Sequence, residues 1–294
     1  MKKRVIFNWL IFVVLVTIIA AIAPARIYLI KGKQHFSAGR YQEAIADYQQ
    51  AIRLNPSFAR AYVELGDAYR ALERYEEAAE AFKKATLLED ESCASCGLGV
   101  TYYKSGRFED AEKAFKRAIE LDPNDVCAYD WSGRMYYDLS RYPEAVEVFR
   151  REVKLQPSAW AYVFLGNAYV YSKRFSEGVD AYKEAIHLNP DEMAYYQLGV
   201  AYEYLGQYGE AIEAYQQAIK LKPSDENAHY GLGLAYLATG DKRSALEQYK
   251  ILQTLDSKCA VKLQQQSPSL QGRESAEEKL YFVSLGPLFV TSLT

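Results

Sequence analysis

Seven glycines, Gly32, Gly66, Gly99, Gly133, Gly166, Gly199 and Gly233, recur at intervals of 33 or 34 residues along a chain of 294. A period of that length, repeated without a gap, confines the chain to an architecture in which each unit packs on its neighbours. Six of the glycines are followed three residues on by an aromatic (Tyr69, Tyr102, Tyr136, Tyr169, Tyr202, Tyr236), with His35 in the first unit. Twelve residues after the glycine comes Ala44, Ala78, Ala111, Ala145, Gly178, Ala211 or Ala245. Four later stands Tyr48, Phe82, Phe115, Phe149, Tyr182, Tyr215 or Tyr249. This spacing predicts two antiparallel helices per unit, whose axes approach at the small residues while rings fill the space around the contact. Turn signals fall where such a hairpin needs them, at Ala38-Gly39-Arg40, Ser105-Gly106-Arg107, Leu205-Gly206-Gln207 and Thr239-Gly240-Asp241. Pro56, Pro123, Pro157, Pro190 and Pro223 close five units, and Pro143 opens a second helix, where its missing N–H costs nothing.

The motif Tyr62-x-x-Leu65-Gly66-x-x-Tyr69, followed by Ala78-x-x-x-Phe82, resembles the tetratricopeptide repeat, and the likeness extends over about residues 25–259. It implies an all-α fold: a right-handed α-solenoid of about seven helix hairpins, at 25–58, 59–91, 92–125, 126–158, 159–191, 192–225 and 226–259. Lys31 and Ser132 replace the leucine usual before the glycine, Gly178 replaces the alanine, and Asp90 and Ser257 replace the closing proline.

Ahead of the repeats, Met1-Lys2-Lys3-Arg4 leads into nineteen residues, Val5 to Ala23, broken only by Asn8 and Thr17. That run is long enough to cross a bilayer as a helix. It exceeds the core of a cleavable secretory signal, and cutting after Ala23 would leave Pro24 at the new N-terminus, so residues 1–24 are read as one transmembrane anchor before a signal sequence. Basic residues flank both ends, with Arg26, Lys31, Lys33 and Arg40 beyond the run. The short basic start favours a single-pass protein with its repeats on the exported side, periplasmic or extracytoplasmic.

Nineteen of the 26 tyrosines occupy packing places of the repeat. The resemblance assigns most of the others to the groove that holds a partner peptide in that family. Numbering each unit so that its glycine is eighth, Tyr103, Tyr137, Tyr171, Tyr196, Tyr204 and Tyr230 fall at the fifth, twelfth or thirteenth place of a first helix. Trp131, Trp160 and Phe164 join them at second or sixth places, with Asn167 among the polar residues of the same face. Large rings suit a docking surface because they bring contact area at low conformational cost. The lysine and asparagine that clamp chaperone tails in some relatives are missing, since the fifth and ninth places hold Val63 with Asp67, Cys96 with Val100, and Asp130 with Arg134. An apolar partner segment fits better.

Thirty-five basic against 38 acidic residues give a net charge of −3, without the excess that a phosphate backbone demands, so nucleic acid is not expected as a partner. Three histidines give little basis for a metal cage or a general base, and no small-molecule substrate, cofactor or enzyme activity is assigned. Cys93-Ala94-Ser95-Cys96 opens a first helix, and Cys127 holds the matching second place one unit on. These cysteines read first as small apolar residues of a helix interface, with a Cys93–Cys96 disulfide the alternative if the domain is exported and thiol redox or metal binding at this pair the rival function. Three thiols on one face lack an evident fourth ligand, and Gly97 rules out covalent haem attachment. Residues 260–294 read as a linker around Gln264-Gln265-Gln266, followed by a capping helix at about 274–285 or an interaction tail. The expected function is a membrane-tethered protein-protein interaction scaffold that assists complex assembly, with a soluble exported adaptor, released by signal cleavage, as a further alternative.

Overall fold

The computed structural model describes residues 24–255 and 257–267. The segment read as an anchor, Met1 to Ala23, and the 274–285 cap lie outside the described residues. Among the described residues no helix is long and apolar enough to cross a membrane.

Those residues form fifteen helices and no strand. The chain divides between Asn189 and Pro190 into two compact units. The first holds five hairpins: α1 (24–37) with α2 (Tyr41–Leu54), α3 (Ala59–Ala71) with α4 (Tyr75–Leu88), α5 (Ser92–Lys104) with α6 (Phe108–Leu121), α7 (Val126–Asp138) with α8 (Tyr142–Leu155), and α9 (Ala159–Tyr171) with α10 (Phe175–Leu188). The second holds α11 (Glu192–Tyr204) with α12 (Tyr208–Leu221), α13 (Glu226–Ala238) with α14 (Lys242–Thr254), and a final α15 (Lys258–Gln266).

Six of the seven hairpins close on their periodic glycine, and at the seventh Gly233 faces Leu263 of α15 instead. At Gly133 an added Cβ would lie 2.5 Å from the Phe149 ring, and at Gly166 2.5 Å from the Tyr182 ring. The ring sixteen residues downstream thus occupies the space a side chain would fill, and Tyr48, Phe82, Phe115, Phe149, Tyr182 and Tyr215 are almost fully buried. Gly178 has a similar cause, because a Cβ there would meet Val170 at 2.8 Å. Ser132, in the leucine place, turns its hydroxyl inward and donates to the Ala128 carbonyl at 2.6 Å.

The hairpin turns share one backbone solution. A single left-handed residue follows the first helix, and the next N–H donates back across the helix end, as from Arg107 to Tyr102 O at 2.8 Å. Gly106 takes the left-handed place in that turn, but Glu73, Ser140 and Lys173 take it in three others (φ 57–60°). Several first helices begin on side-chain caps from short acceptors: Asp125 accepts from Ala128 N and Ser158 from Ala161 N, both at 3.1 Å.

Helix α15 corrects the expected linker. Ser257 caps it, and Ala260 and Leu263, three apart on one face, are buried against α13 and α14. The stretch through Gln266 therefore covers the end of the second unit, a role the sequence reading gave to 274–285.

Candidate partner-binding surface

Successive first helices touch one another, α3 with α5, α5 with α7 and α7 with α9, so side chains at matching places of neighbouring repeats form rows. One row joins Tyr103 of α5 to Trp131 of α7, ring centroids 6.2 Å apart, and the Tyr103 hydroxyl donates to Asp138. Burial, reinforced by Asp138, holds that phenol well above its ordinary range. The Arg134 guanidinium, paired with Asp130 at 2.7 Å, lies 5.4 Å from the Trp131 ring centre and 4.7 Å from that of Phe164. Lys104 approaches Trp131 from the preceding repeat at 5.4 Å. Trp131 thus has two cations within reach of its electron-rich ring.

Further along, Tyr137 meets Tyr171 edge-on at 5.6 Å, and Tyr171 stacks on Tyr142 at 5.0 Å. Phe164 stacks on the core ring Phe149 at 5.6 Å and supports Trp160 at 6.3 Å. Trp160 is 61% exposed, the most open of the predicted rings among the described residues. Asn167 accepts a hydrogen bond from the buried Tyr182 hydroxyl at 2.7 Å, which ties the groove face to the core.

The second unit presents a smaller set. Tyr204 is 40% exposed, while half-buried Tyr196 packs on the core ring Tyr215 at 5.8 Å. Tyr230 corrects the sequence reading: α14 and α15 close over it, and it belongs to the hydrophobic core with Leu252 and Leu263.

The cysteines are also rearranged relative to expectation. All four are free thiols, and the close pair is Cys96–Cys127 at 3.2 Å, across α5 and α7, rather than Cys93–Cys96 within one helix. Helical register explains it: Cys96 is buried toward the next repeat, whereas Cys93 stays exposed.

Two acidic side chains complete the electrostatics. Burial, and then the Asp130 charge, push Glu152 of α8 up to about 7 against the opposing pull of Arg134. In the second unit burial pushes Glu203 up to about 7 as well.

Matches to protein-family models cover most of the repeat region. Models described as TPR repeat match residues 32–71 and 202–240, and models described as tetratricopeptide repeat match 58–124, 96–159 and 161–192. The chain belongs to the tetratricopeptide repeat family. A solved structure of MamA is 33% identical, with 54% of this chain and 94% of that one covered and a TM-score of 0.53. YrrB, described as a TPR protein with an unusual peptide-binding site, is 22% identical over 66% of this chain and 97% of its own, with a TM-score of 0.55. Among curated proteins, the Protein SGT1 homolog of Oryza sativa subsp. japonica is 39% identical over 64 residues, 22% of this chain and 17% of that relative. The chain therefore spans a small part of that protein's length.

Within the tetratricopeptide frame, Glu152 stands out as a residue the sequence reading missed. It occupies the place at which five other repeats carry Ala51, Ala85, Ala118, Ala185 and Ala218, all fully buried. It is itself 6% exposed, and its Oε2 has no hydrogen-bond partner among the described residues. A carboxylate in an alanine place was the available signal.

Proposed function

We propose that this tetratricopeptide repeat chain is a membrane-tethered scaffold that holds an apolar segment of a partner protein against the ring-lined face of α5, α7 and α9. Residues 1–24 serve as the anchor, repeats over 25–259 lie on the exported side, and 260–294 ends the last repeat and extends into a tail. The observation that carries the binding role is the exposure of Trp160 beside Phe164, at the edge of a row of packed aromatic side chains. An exposed tryptophan on a rigid support offers area without a large ordering cost, which is how anchor residues contribute most to affinity. YrrB, with the same fold, supports this reading through its described peptide-binding site. Tyr103, Trp131, Tyr137, Phe164, Asn167 and Tyr171 frame the face, while Tyr196 and Tyr204 offer a separate patch in the second unit.

The test is site-specific photo-crosslinking in cells, with the photoreactive residue at Trp160 or, as a control, at exposed Lys113 on α6. Adducts from position 160 that are absent from 113 and disappear in a Trp131→Ala, Tyr137→Ala background are expected. Equal labelling at both positions, or none at 160, would sink the groove reading. A reporter phosphatase fused to the C-terminus, active only after export, tests the topology: an expressed but inactive fusion places the repeats on the other side.

A further inference from the structure

Three of the four cysteines, Cys93, Cys96 and Cys127, lie on neighbouring first helices with no fourth ligand evident in the sequence, but the fold brings an oxygen donor to two of them. Cys96 on α5 and Cys127 on α7 are 31 residues apart in sequence and 3.2 Å apart at sulfur. Asp125 sits just ahead of α7 and accepts from Ala128 N through Oδ1, which fixes the carboxylate at that helix start. The sulfurs of Cys96 and Cys127 and a carboxylate oxygen of Asp125 all lie within 4.8 Å of one another. Metal–sulfur and metal–oxygen bonds to zinc run about 2.0–2.3 Å, so a single ion between three such atoms reaches all of them with small side-chain rotations. Thiolates select zinc-like and softer ions over magnesium or calcium, and a carboxylate is a regular third donor for zinc. Cys96 is buried and Cys127 exposed, so the cluster has a rigid side and an open side through which an ion can enter.

We propose that Cys96, Cys127 and Asp125 form a binding site for a zinc-class divalent cation that bridges the third and fourth repeats, with water in the fourth position. The two thiols release their protons to solvent as the two sulfur–metal bonds form, so affinity rises with pH. Cys93, one turn before Cys96 on α5, is outside the ligand set. The site ties α5 to α7, the two helices that also meet at the Tyr103–Trp131 contact, and the bound ion stabilises the folded form by mass action. It stands independently of the scaffold reading, since it needs no protein partner.

The experiment uses the full chain in detergent, reduced and stripped with chelator, and titrates it with Co²⁺ as the spectroscopic probe. One equivalent should give thiolate-to-cobalt charge-transfer absorption and the visible bands of a tetrahedral site, both abolished by added Zn²⁺. Cys127→Ser leaves one thiolate, so at saturating Co²⁺ it should cut the charge-transfer band to about half and weaken Zn²⁺ competition against a chromophoric chelator by about 100-fold, at or beyond what loss of an outer-shell contact costs. Asp125→Asn keeps a good helix cap, so it should fold as the parent does while binding at least tenfold more weakly. Cys93→Ser and Cys259→Ser should bind like the parent. A reduced parent chain that takes up no Co²⁺ overturns the proposal, and so does charge-transfer absorption of undiminished intensity in Cys127→Ser. If the reduced chain ignores Co²⁺ but loses two thiols to oxidised glutathione, the pair is a disulfide site and the metal assignment fails.

Discussion

In the first unit four of the five hairpin turns carry an arginine clasp, and in the second unit neither turn does. Arg74, Arg107, Arg141 and Arg174 each follow a left-handed residue, place the guanidinium 4.3–4.7 Å from the ring centre of Tyr69, Tyr102, Tyr136 or Tyr169, and pair with an acid three residues on. The matching places in the second unit hold Gln207 and Asp241. The turn backbone is nevertheless the same in both, with Gly206 and Gly240 left-handed and the following N–H bonded back to Tyr202 O and Tyr236 O at 2.9 Å. The difference separates two layers of specification. Backbone geometry defines the hairpin throughout, with the glycine–ring contact in every one but α13–α14, and the clasp is an addition that one unit has and the other lacks.

The sharpest break in that comparison lies at the glycines themselves. Gly133 faces the buried Phe149 ring, with three ring carbons within 2.8 Å of an added Cβ. Gly233 faces the end of Leu263, which is 2.6 Å away at one methyl but can rotate. Gly133→Ala should therefore destabilise the first unit by about 2–3 kcal/mol, net of the ~1 kcal/mol that alanine gains in helix propensity. Gly233→Ala should change the second unit by no more than about 1 kcal/mol, because rotation of the leucine end and the propensity gain offset each other. Hydrogen exchange resolved by helix reads each unit separately; equal effects at the two sites would show that ring rigidity is not what sets the cost.

A comparable effect is expected at Glu152, with a sign fixed by its environment. Its carboxyl, ordinarily near 4.5, is raised to about 7 in the folded chain, so the native state holds the proton more tightly than the unfolded one. Stability is highest below about 4.5, falls as pH rises toward about 7, and levels off above that. Glu152→Gln should remove this slope and stabilise the first unit by up to about 3 kcal/mol at pH 8, with little change at pH 4. Glu203→Gln should act likewise in the second unit, where burial raises Glu203 to about 7. Urea melts at both pH values test this, and a parallel pH dependence in parent and variant would show that Glu152 stays paired with a cation.

These residues also mark where the sequence stops being readable. The glycine–ring contact was legible because steric fit ties one small residue to one large residue at a fixed spacing, as at Gly66 and Phe82. Turns at Gly39, Gly106, Gly206 and Gly240 were legible because glycine announces the left-handed place, and those at Glu73, Ser140 and Lys173 were not, because nothing in the letters does. The aromatic face was legible only through the repeat resemblance, and Tyr230 shows the limit of that route: α15, hidden in a glutamine-rich stretch, turns a groove place into core. The Cys96–Cys127 pairing depends on how two first helices align across a repeat boundary, which no local spacing encodes.

A smaller effect is expected when a clasp is removed. Arg141 has more partners than Tyr136 and Glu144, since it also reaches back to Glu112 of the preceding repeat at 2.7 Å. Lys116 and Arg141 together hold Glu112 down to about 2. These are partly exposed charges, screened by solvent, so Arg141→Ala should cost about 1 kcal/mol and less in high salt. A salt-independent loss would assign the effect to packing of the arginine stem on Tyr136.

The converse substitution asks whether the clasp can be installed in the second unit. At the turn after α11, Tyr202 and Glu210 already stand five before and three after Gln207, the offsets that Tyr136 and Glu144 have from Arg141. The turn backbone matches as well, with Gly206 in the left-handed place and Gln207 N bonded to Tyr202 O at 2.9 Å. Gln207 makes no side-chain cap to α12, so replacing it sacrifices no such bond. Gln207→Arg should then place a guanidinium over Tyr202 and beside Glu210 and stabilise α11–α12 by about 0.5 kcal/mol, the scale of an exposed cation–π contact with a surface ion pair. The check is a double-mutant cycle with Glu210→Gln, read by exchange protection at the start of α12. Coupling between the two positions would show that tyrosine, arginine and acid form a portable module; a gain without coupling would leave only the general attraction of a cation for an aromatic face.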